Sequence, residues 1–205
     1  MTWSEILIPS VASLAGALIG GAIAGYCSIR AVKTAHQIVK RVQEENQENI
    51  IQRLLQAIHE EIETIWELYM GDMGPQVESL ADNHPLNLYY PIVQDYFTVY
   101  NTNAILITQI PDKDLRKAII STYAKARSLI DSFRLNNDYL QKNEYWYRIY
   151  MQMGKPGSLE FNVNSSYQLL TNYAQVIKRV HNQTKLCVLD LLIKLKEKVF
   201  LANVN

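Results

Sequence analysis

The fold is decided by the stretch IQRLLQAIHEEIETIWELY, residues 51–69. Its apolar residues recur at alternating steps of four and three: Ile51, Leu55, Ile58, Ile62, Ile65 and Tyr69. This spacing places them on one side of an α-helix with the period of a coiled coil, and Leu54 and Leu68 widen the stripe. Glutamates, Glu61 among them, occupy the remaining faces. We therefore predict an amphipathic helix that buries one side against other helices.

Similar apolar stripes recur twice further along the chain. The first predicts a helix that ends at about Leu140, and its apolar face consists of Leu115, Ile119, Tyr123, Ala126, Ile130 and Phe133. The second predicts a helix from Ser165 to about Leu201. One face of it consists of Leu169, Tyr173, Val176, Val180, Cys187, Leu191, Leu195 and Val199, with Leu170, Ile177, Val188 and Leu192 beside them. Pro111 followed by Asp112 predicts a helix start with Asp112 as the N-cap.

Breaker residues give the other predicted boundaries. The cluster GDMGP, residues 71–75, predicts that the first helix ends near Tyr69, and residues 76–91 are expected to form a long loop. The run DYFTVYNTNAILITQI, residues 95–110, fits a helix, although its YFTVY part has the composition of a strand. GKPG at 154–157 predicts a turn, and LEFNVN at 159–164 a short extended segment. Four long helical segments predict an all-α protein with a cytoplasmic antiparallel helical bundle over residues 50–205.

The N-terminal segment has the length and composition of a membrane span. No charged residue occurs between Ile6 and Ile29, a stretch long enough for the hydrocarbon core of a bilayer. Arg30, Lys33, Lys40 and Arg41 follow it, so the positive-inside bias predicts an outside N-terminus and a cytoplasmic remainder. We therefore predict a single-pass protein of the cell inner membrane, with an anchor over residues 1–29 and a helical stalk over 30–49. The alternative is a buried core helix.

Small side chains line two adjacent rows of that predicted span. The rows contain Ala12, Gly16, Gly20 and Ala24, and Ser13, Ala17, Gly21 and Gly25. Small residues let helix backbones approach closely in lipid, where no hydrophobic force brings helices together. We predict that this face contacts lipid-embedded copies of the same helix in a homo-oligomer; a passive anchor is the alternative.

Composition and motifs do not indicate chemistry. Of the 205 residues, 20 are Lys or Arg and 20 are Asp or Glu, a balance that does not suggest a nucleic-acid partner. The histidines are far apart, and HEEIE at 59–63 has a glutamate where a zinc motif requires the second histidine. No phosphate-binding or nucleophile motif occurs. The sequence predicts a protein that is not an enzyme and has no metal and no cofactor.

Tyrosine is enriched, with 13 tyrosines against four phenylalanines. Aromatic and amide side chains suit recognition, because the ring gives contact area and the polar group gives a hydrogen bond. The candidates for contact with a cytoplasmic protein partner are Tyr96, Tyr100, Asn101, Asn103, Trp146 and Tyr147. Packing in the core and stacking on nucleic-acid bases are the alternatives. The asparagines of VYNTN and RLNND are expected to cap or bridge loops.

The block YFTVYNTNAILITQIPDKDLRKAIISTYAKARSLIDSFRLNNDYL, residues 96–140, resembles a block in small bacterial proteins. These proteins pair an N-terminal membrane span with a helical cytoplasmic domain and lie in mobile elements or defence loci. The layout is also similar to the small membrane effectors of anti-phage systems, such as those that accompany retrons. Some of those effectors have two spans, whereas one is found here. The resemblance implies no catalytic residues.

These features together predict a membrane-anchored, non-enzymatic effector or sensor. In a defence setting, self-association of the glycine-rich helix would perturb the inner membrane. A membrane-tethered scaffold or adaptor that binds a cytoplasmic protein is the first alternative, and an enzyme with a site built from scattered Tyr, Asn and Glu residues is the second.

Overall fold

The computed structural model describes the backbone of residues 3–92 and 96–201, and the side chains of residues 28–92 and 96–199. The described residues form helices and irregular segments without a strand, so the predicted all-α class is confirmed. Three helices are long: α1 (Trp3–Glu78), α4 (Lys113–Gln152) and α5 (Gly157–Lys196). Two are single turns, α2 (Thr98–Thr102) and α3 (Ala104–Thr108), and a π-helix (Glu197–Leu201) follows α5. The chain divides into two compact units, residues 1–50 and 51–205.

The first unit consists of the N-terminal part of α1. Residues 28–50 are exposed throughout, and the stretch after Ile29 is amphipathic. Its apolar side contains Ala31, Val32, Ala35, Ile38, Val39 and Val42, while Arg30, Lys33, Lys40 and Arg41 lie on the other side. Among the residues whose side chains the structure describes, no helical stretch is long and apolar enough to cross a membrane. The predicted span and its small-residue rows lie outside the described side chains, except for residues 28 and 29.

The second unit is a three-helix bundle with two apolar clusters along its length. In the first cluster, Ile58 of α1, Ile119 of α4 and Leu191 of α5 are fully buried, together with residues of the α2–α3 segment. In the second, Val77 of α1 and Phe133 of α4 meet Ile177 of α5. The order of these contacts shows that α1 and α4 run parallel and that α5 runs antiparallel to both. The predicted helical bundle is confirmed.

The predicted seam of the first helix is also confirmed, except that Leu68 is 70% exposed, and the predicted end near Tyr69 is wrong. α1 continues for nine more residues, through Gly71, Gly74 and Pro75, to Glu78. Proline removes one helical hydrogen bond, but the carbonyl that loses its partner belongs to exposed Gly71, where water can replace it. Met73 and Val77 are buried by the extension. Each buried apolar side chain contributes about 1.5–3 kcal/mol, enough to offset the weak helix propensity of this segment.

Other predicted boundaries also shift. The 95–110 run is helical at Thr98–Thr102 and Ala104–Thr108. Asn103 separates the two helices, because its side-chain amide and backbone N–H both donate to the Val99 carbonyl and end α2. α4 continues past Leu140 to Gln152. The extended segment predicted for LEFNVN is wrong, since α5 begins at Gly157 and includes it. An extended LEFNVN would need strand partners for its backbone, whereas a helix satisfies those groups internally.

The predicted N-cap and turn are confirmed. Asp112 accepts hydrogen bonds from the backbone N–H groups of Asp114 and Leu115, at 3.1 and 3.0 Å. Gly154 and Lys155 have φ of 75° and 61°, so both residues of the α4–α5 turn adopt the left-handed conformation, which glycine adopts readily. On α5 the buried face is turned by one residue in its N-terminal half. Leu170, Ala174 and Ile177 are buried, whereas predicted Leu169 is 39% exposed.

Candidate functional site

An apolar cavity of about 370 Å³ lies between α1, α4, α5 and the segment that precedes α2. Aromatic and aliphatic side chains form most of its wall, among them Trp66 of α1, Ile130 and Phe133 of α4, and Val188 of α5. Its size falls within the range of small-molecule sites in proteins, which are mostly apolar with a few placed polar groups. Among the described residues it is the clearest candidate for a functional site.

A chain of polar groups lies beside one wall of the cavity. The hydroxyl of Tyr69, which lines the cavity, is 2.7 Å from Nδ1 of fully buried His181. Nε2 of His181 lies 3.4 Å from Glu78 Oε1, and the same oxygen accepts a hydrogen bond from Lys185 Nζ at 2.7 Å. Both contacts of the ring are satisfied when the proton is on Nε2, so that Tyr69 donates to Nδ1 and His181 donates to Glu78.

Burial and charge change the acidity of this chain. Burial raises the pKa of the Tyr69 hydroxyl, and the neighbouring Tyr90 and Glu78 raise it further. Burial also lowers the pKa of His181, and this effect exceeds the opposing attraction of Glu78. The pKa of the Glu78 carboxyl is lowered, chiefly by its hydrogen bond from Lys185. The group is therefore a neutral histidine held between a phenol and an ion pair.

We expect the stability of the protein to fall as the pH drops below about 6.5, the ordinary pKa of histidine. The folded state resists protonation of His181, so below that pH the unfolded state binds more protons and gains stability. Melting temperatures at pH 7.5 and 5.5 measure the effect, and this window lies above the titration of Glu78 and Asp112. His181→Gln should reduce the difference in melting temperature between the two pH values, whereas His36→Gln, on the exposed part of α1, should preserve it. If the difference in melting temperature is the same in the two variants, His181 is not the group responsible.

At the mouth of the cavity two tyrosines and one carboxylate come together. Tyr90, Tyr96 and Asp72 all line it, and burial, with these two neighbours, raises the pKa of Tyr90. Asn137 fixes the backbone of Tyr90 from both sides: its Oδ1 accepts from the N–H at 3.1 Å and its Nδ2 donates to the carbonyl at 2.7 Å. Asn136 donates to the Leu86 carbonyl at 3.1 Å. The RLNND asparagines therefore bridge a loop, as the sequence indicated.

The α2 segment is held beside the cavity by Glu61. Its carboxylate accepts from the Val99 N–H at 2.7 Å and from the Tyr123 hydroxyl at 2.6 Å. Burial and the bond to Glu61 raise the pKa of Tyr123. The sequence places Glu61 among solvated charges, and this role was missed. The role arises because the Tyr123 hydroxyl and the first N–H groups of α2 both need a hydrogen-bond acceptor beside Glu61. Both groups are distant from Glu61 in the sequence.

The structure separates the predicted partner-binding residues into two groups. Tyr96 lines the cavity, and nearby Tyr100 stacks on Tyr123 with ring centroids 4.1 Å apart. Asn101 binds Arg127, whose guanidinium lies over the Phe97 and Tyr100 rings, and Asn103 caps α2. Trp146 and Tyr147 lie far from this group, because residue 146 is five turns beyond Arg127 on α4, or about 28 Å. Tyr147 is exposed and Trp146 is half-buried.

Within the described residues, no group of three or more His, Cys, Asp or Glu side chains could hold a metal ion. No protein family, no curated protein and no solved structure matches this chain.

Proposed function

We propose that this protein is a membrane-anchored, non-enzymatic sensor whose cytoplasmic bundle binds an apolar ligand in the cavity. The output is self-association of the glycine-rich N-terminal helix, which perturbs the inner membrane in bacterial anti-phage defence. The observation that supports the sensing part is the cavity itself, because small-molecule sites are mostly apolar clefts or cavities of about 300–1,000 Å³. The volume of about 370 Å³ lies in that range.

The polar groups around the cavity support binding over catalysis. The hydroxyls of Tyr69 and Thr184 already have protein partners, at 2.7 Å to His181 and 2.9 Å to the Val180 carbonyl. Burial raises the pKa of Tyr69 and lowers the pKa of His181, so transfer of the phenol proton to the ring is unfavourable and Tyr69 is a poor nucleophile. The membrane part of the proposal is supported by the charge-free stretch from Ile6 to Ile29 and by its two rows of small residues.

Membrane potential, measured by dye fluorescence after induction of the full chain in bacteria, tests the proposal. We expect depolarisation by the native chain and none by the Gly20→Leu, Gly21→Leu double variant. Ala126→Leu, which narrows the cavity from α4, should change the response. Ala124→Leu adds the same side chain at an exposed position of α4 and serves as the matched control. Identical responses of these two variants would show that the cavity is not the sensor, and a native chain without effect would refute membrane perturbation.

One observation favours the adaptor alternative. The far part of the α4–α5 hairpin exposes large apolar side chains: Tyr145 at 56%, Tyr147 at 54%, Met153 at 65% and Phe161 at 79%. Aromatic residues and methionine are enriched in protein interfaces. For an adaptor, exchange of residues 1–29 for an unrelated membrane anchor should preserve activity, whereas for the proposed sensor it should abolish activity.

A further inference from the structure

The wall of the cavity has a single ionised group. Asp72 is the one acidic or basic residue among the described residues that line it, and it lies one turn after Tyr69 on α1. Asp72 is exposed, so it lies on the solvent side of the cavity. The rest of the wall is aliphatic or aromatic, apart from the hydroxyls of tyrosine and threonine.

Asp72 has no cationic partner within the described part of the chain. The described ion pairs use other carboxylates, such as Glu78 with Lys185 and Asp190 with Lys194. The hydroxyls are already engaged: Tyr69 bonds to His181, Thr184 bonds to backbone carbonyls, and Tyr96 lies within hydrogen-bonding reach of Tyr90. Among the polar groups of the cavity wall, the carboxylate of Asp72 is therefore the one available to bind a ligand.

Two aromatic rings accompany this carboxylate. Tyr90 is close enough for the charge of Asp72 to affect its hydroxyl, and Tyr96 lies next to Tyr90. The face of an aromatic ring attracts a cation and does not attract an anion. A carboxylate beside two tyrosine rings therefore favours a positively charged group, and it repels the head group of a fatty acid.

We infer that the cavity binds a monocationic amphiphile, in which an apolar body fills the space between α1, α4 and α5 and an ammonium group meets Asp72 at the mouth. This inference rests on the proposed function and names the ligand class of the same site. An exposed ion pair and a cation–π contact each add a small free energy. Together they should give a preference of roughly tenfold for an amine over an alcohol of the same shape.

The test compares two probes of equal size, phenylbutylamine and phenylbutanol, by calorimetry on the full chain in phosphatidylcholine nanodiscs. Nanodiscs without protein measure partition of each probe into lipid. After that correction, we expect the amine to bind about tenfold more tightly than the alcohol. Asp72→Asn should make the two affinities equal. Glu67→Gln, which removes an exposed carboxylate of α1 away from the cavity, should leave the preference intact.

The outcomes distinguish a failure of the proposed ligand class from a failure of the proposed function. If both probes bind the native chain equally and Asp72→Asn changes neither, the cationic ligand is refuted while the cavity stays a binding site. If neither probe binds the native chain more than it binds nanodiscs without protein, this inference and the sensing part of the proposed function both fail.

Discussion

Replacement of Phe133 by alanine should lower the free energy of unfolding by about 3–5 kcal/mol. Phe133 is 1% exposed, and its ring packs against Tyr90 and Tyr69 with centroids 5.0 and 6.1 Å apart. It joins the second apolar cluster to the wall of the cavity, so its removal both exposes that cluster and enlarges the space. For a chain of this length the loss corresponds to a fall in melting temperature of roughly 6–20 °C.

The same variant should be rescued in part by an apolar ligand. An enlarged apolar cavity stays dry and binds small apolar molecules, and a ligand at 100 times its Kd adds about 2.7 kcal/mol of stability. Thermal melts of Phe133→Ala with and without phenylbutanol measure this. Phe161→Ala provides the control, because that ring is 79% exposed and its loss should change stability by less than about 0.5 kcal/mol. Equal stability losses in the two variants would mean that the cluster is not packed as described.

Cysteines placed on one face of α1 should form disulfides between copies of the chain, and cysteines on the other faces should not. The apolar side of residues 31–42 lies on the heptad positions that continue the small-residue rows of the predicted span, through Ala24, Ala31 and Ile38. In the proposed membrane-anchored oligomer the copies are parallel, so these faces can meet while the cations lie on the outer side. We expect Ile38→Cys, in a chain whose native cysteines are replaced by serine, to form mostly disulfide dimers on mild oxidation in membranes.

The control is the neighbouring position. Gln37→Cys lies about 100° around the helix from Ile38, and the two native residues are both exposed. Since a disulfide requires Cα atoms within about 7 Å, the cysteine at 37 should give less than about a tenth of the dimer formed at 38. The Gly20→Leu, Gly21→Leu pair should reduce cross-linking at 38. Equal yields at 37 and 38 would exclude a specific helix face as the interface.

The sequence predicted helix type well where an apolar stripe was long and regular. The seam from Ile51 to Tyr69 and the start of α4 at Asp112 both appear as expected, because side-chain spacing and capping act within a few residues. Boundaries governed by breakers were less predictable. The end of α1 depended on the burial of Met73 and Val77 in a cluster with α4 and α5. That burial cannot be predicted from the helix propensities of residues 70–78.

By itself, the sequence determined the helical class, the segments with one apolar side and the charge-free N-terminal stretch, since each depends on the order of residues alone. The tertiary structure decided the candidate site. Trp66, Tyr90, Phe133 and Val188 line one cavity although 122 positions separate the first from the last. Glu61 and His181 become parts of two separate hydrogen-bonded groups, one with Tyr123 and one with Tyr69. The physical reason is that burial and hydrogen-bond partners depend on which helices pack together. An apolar stripe shows which side of a helix is buried, but it does not show which helix packs against that side.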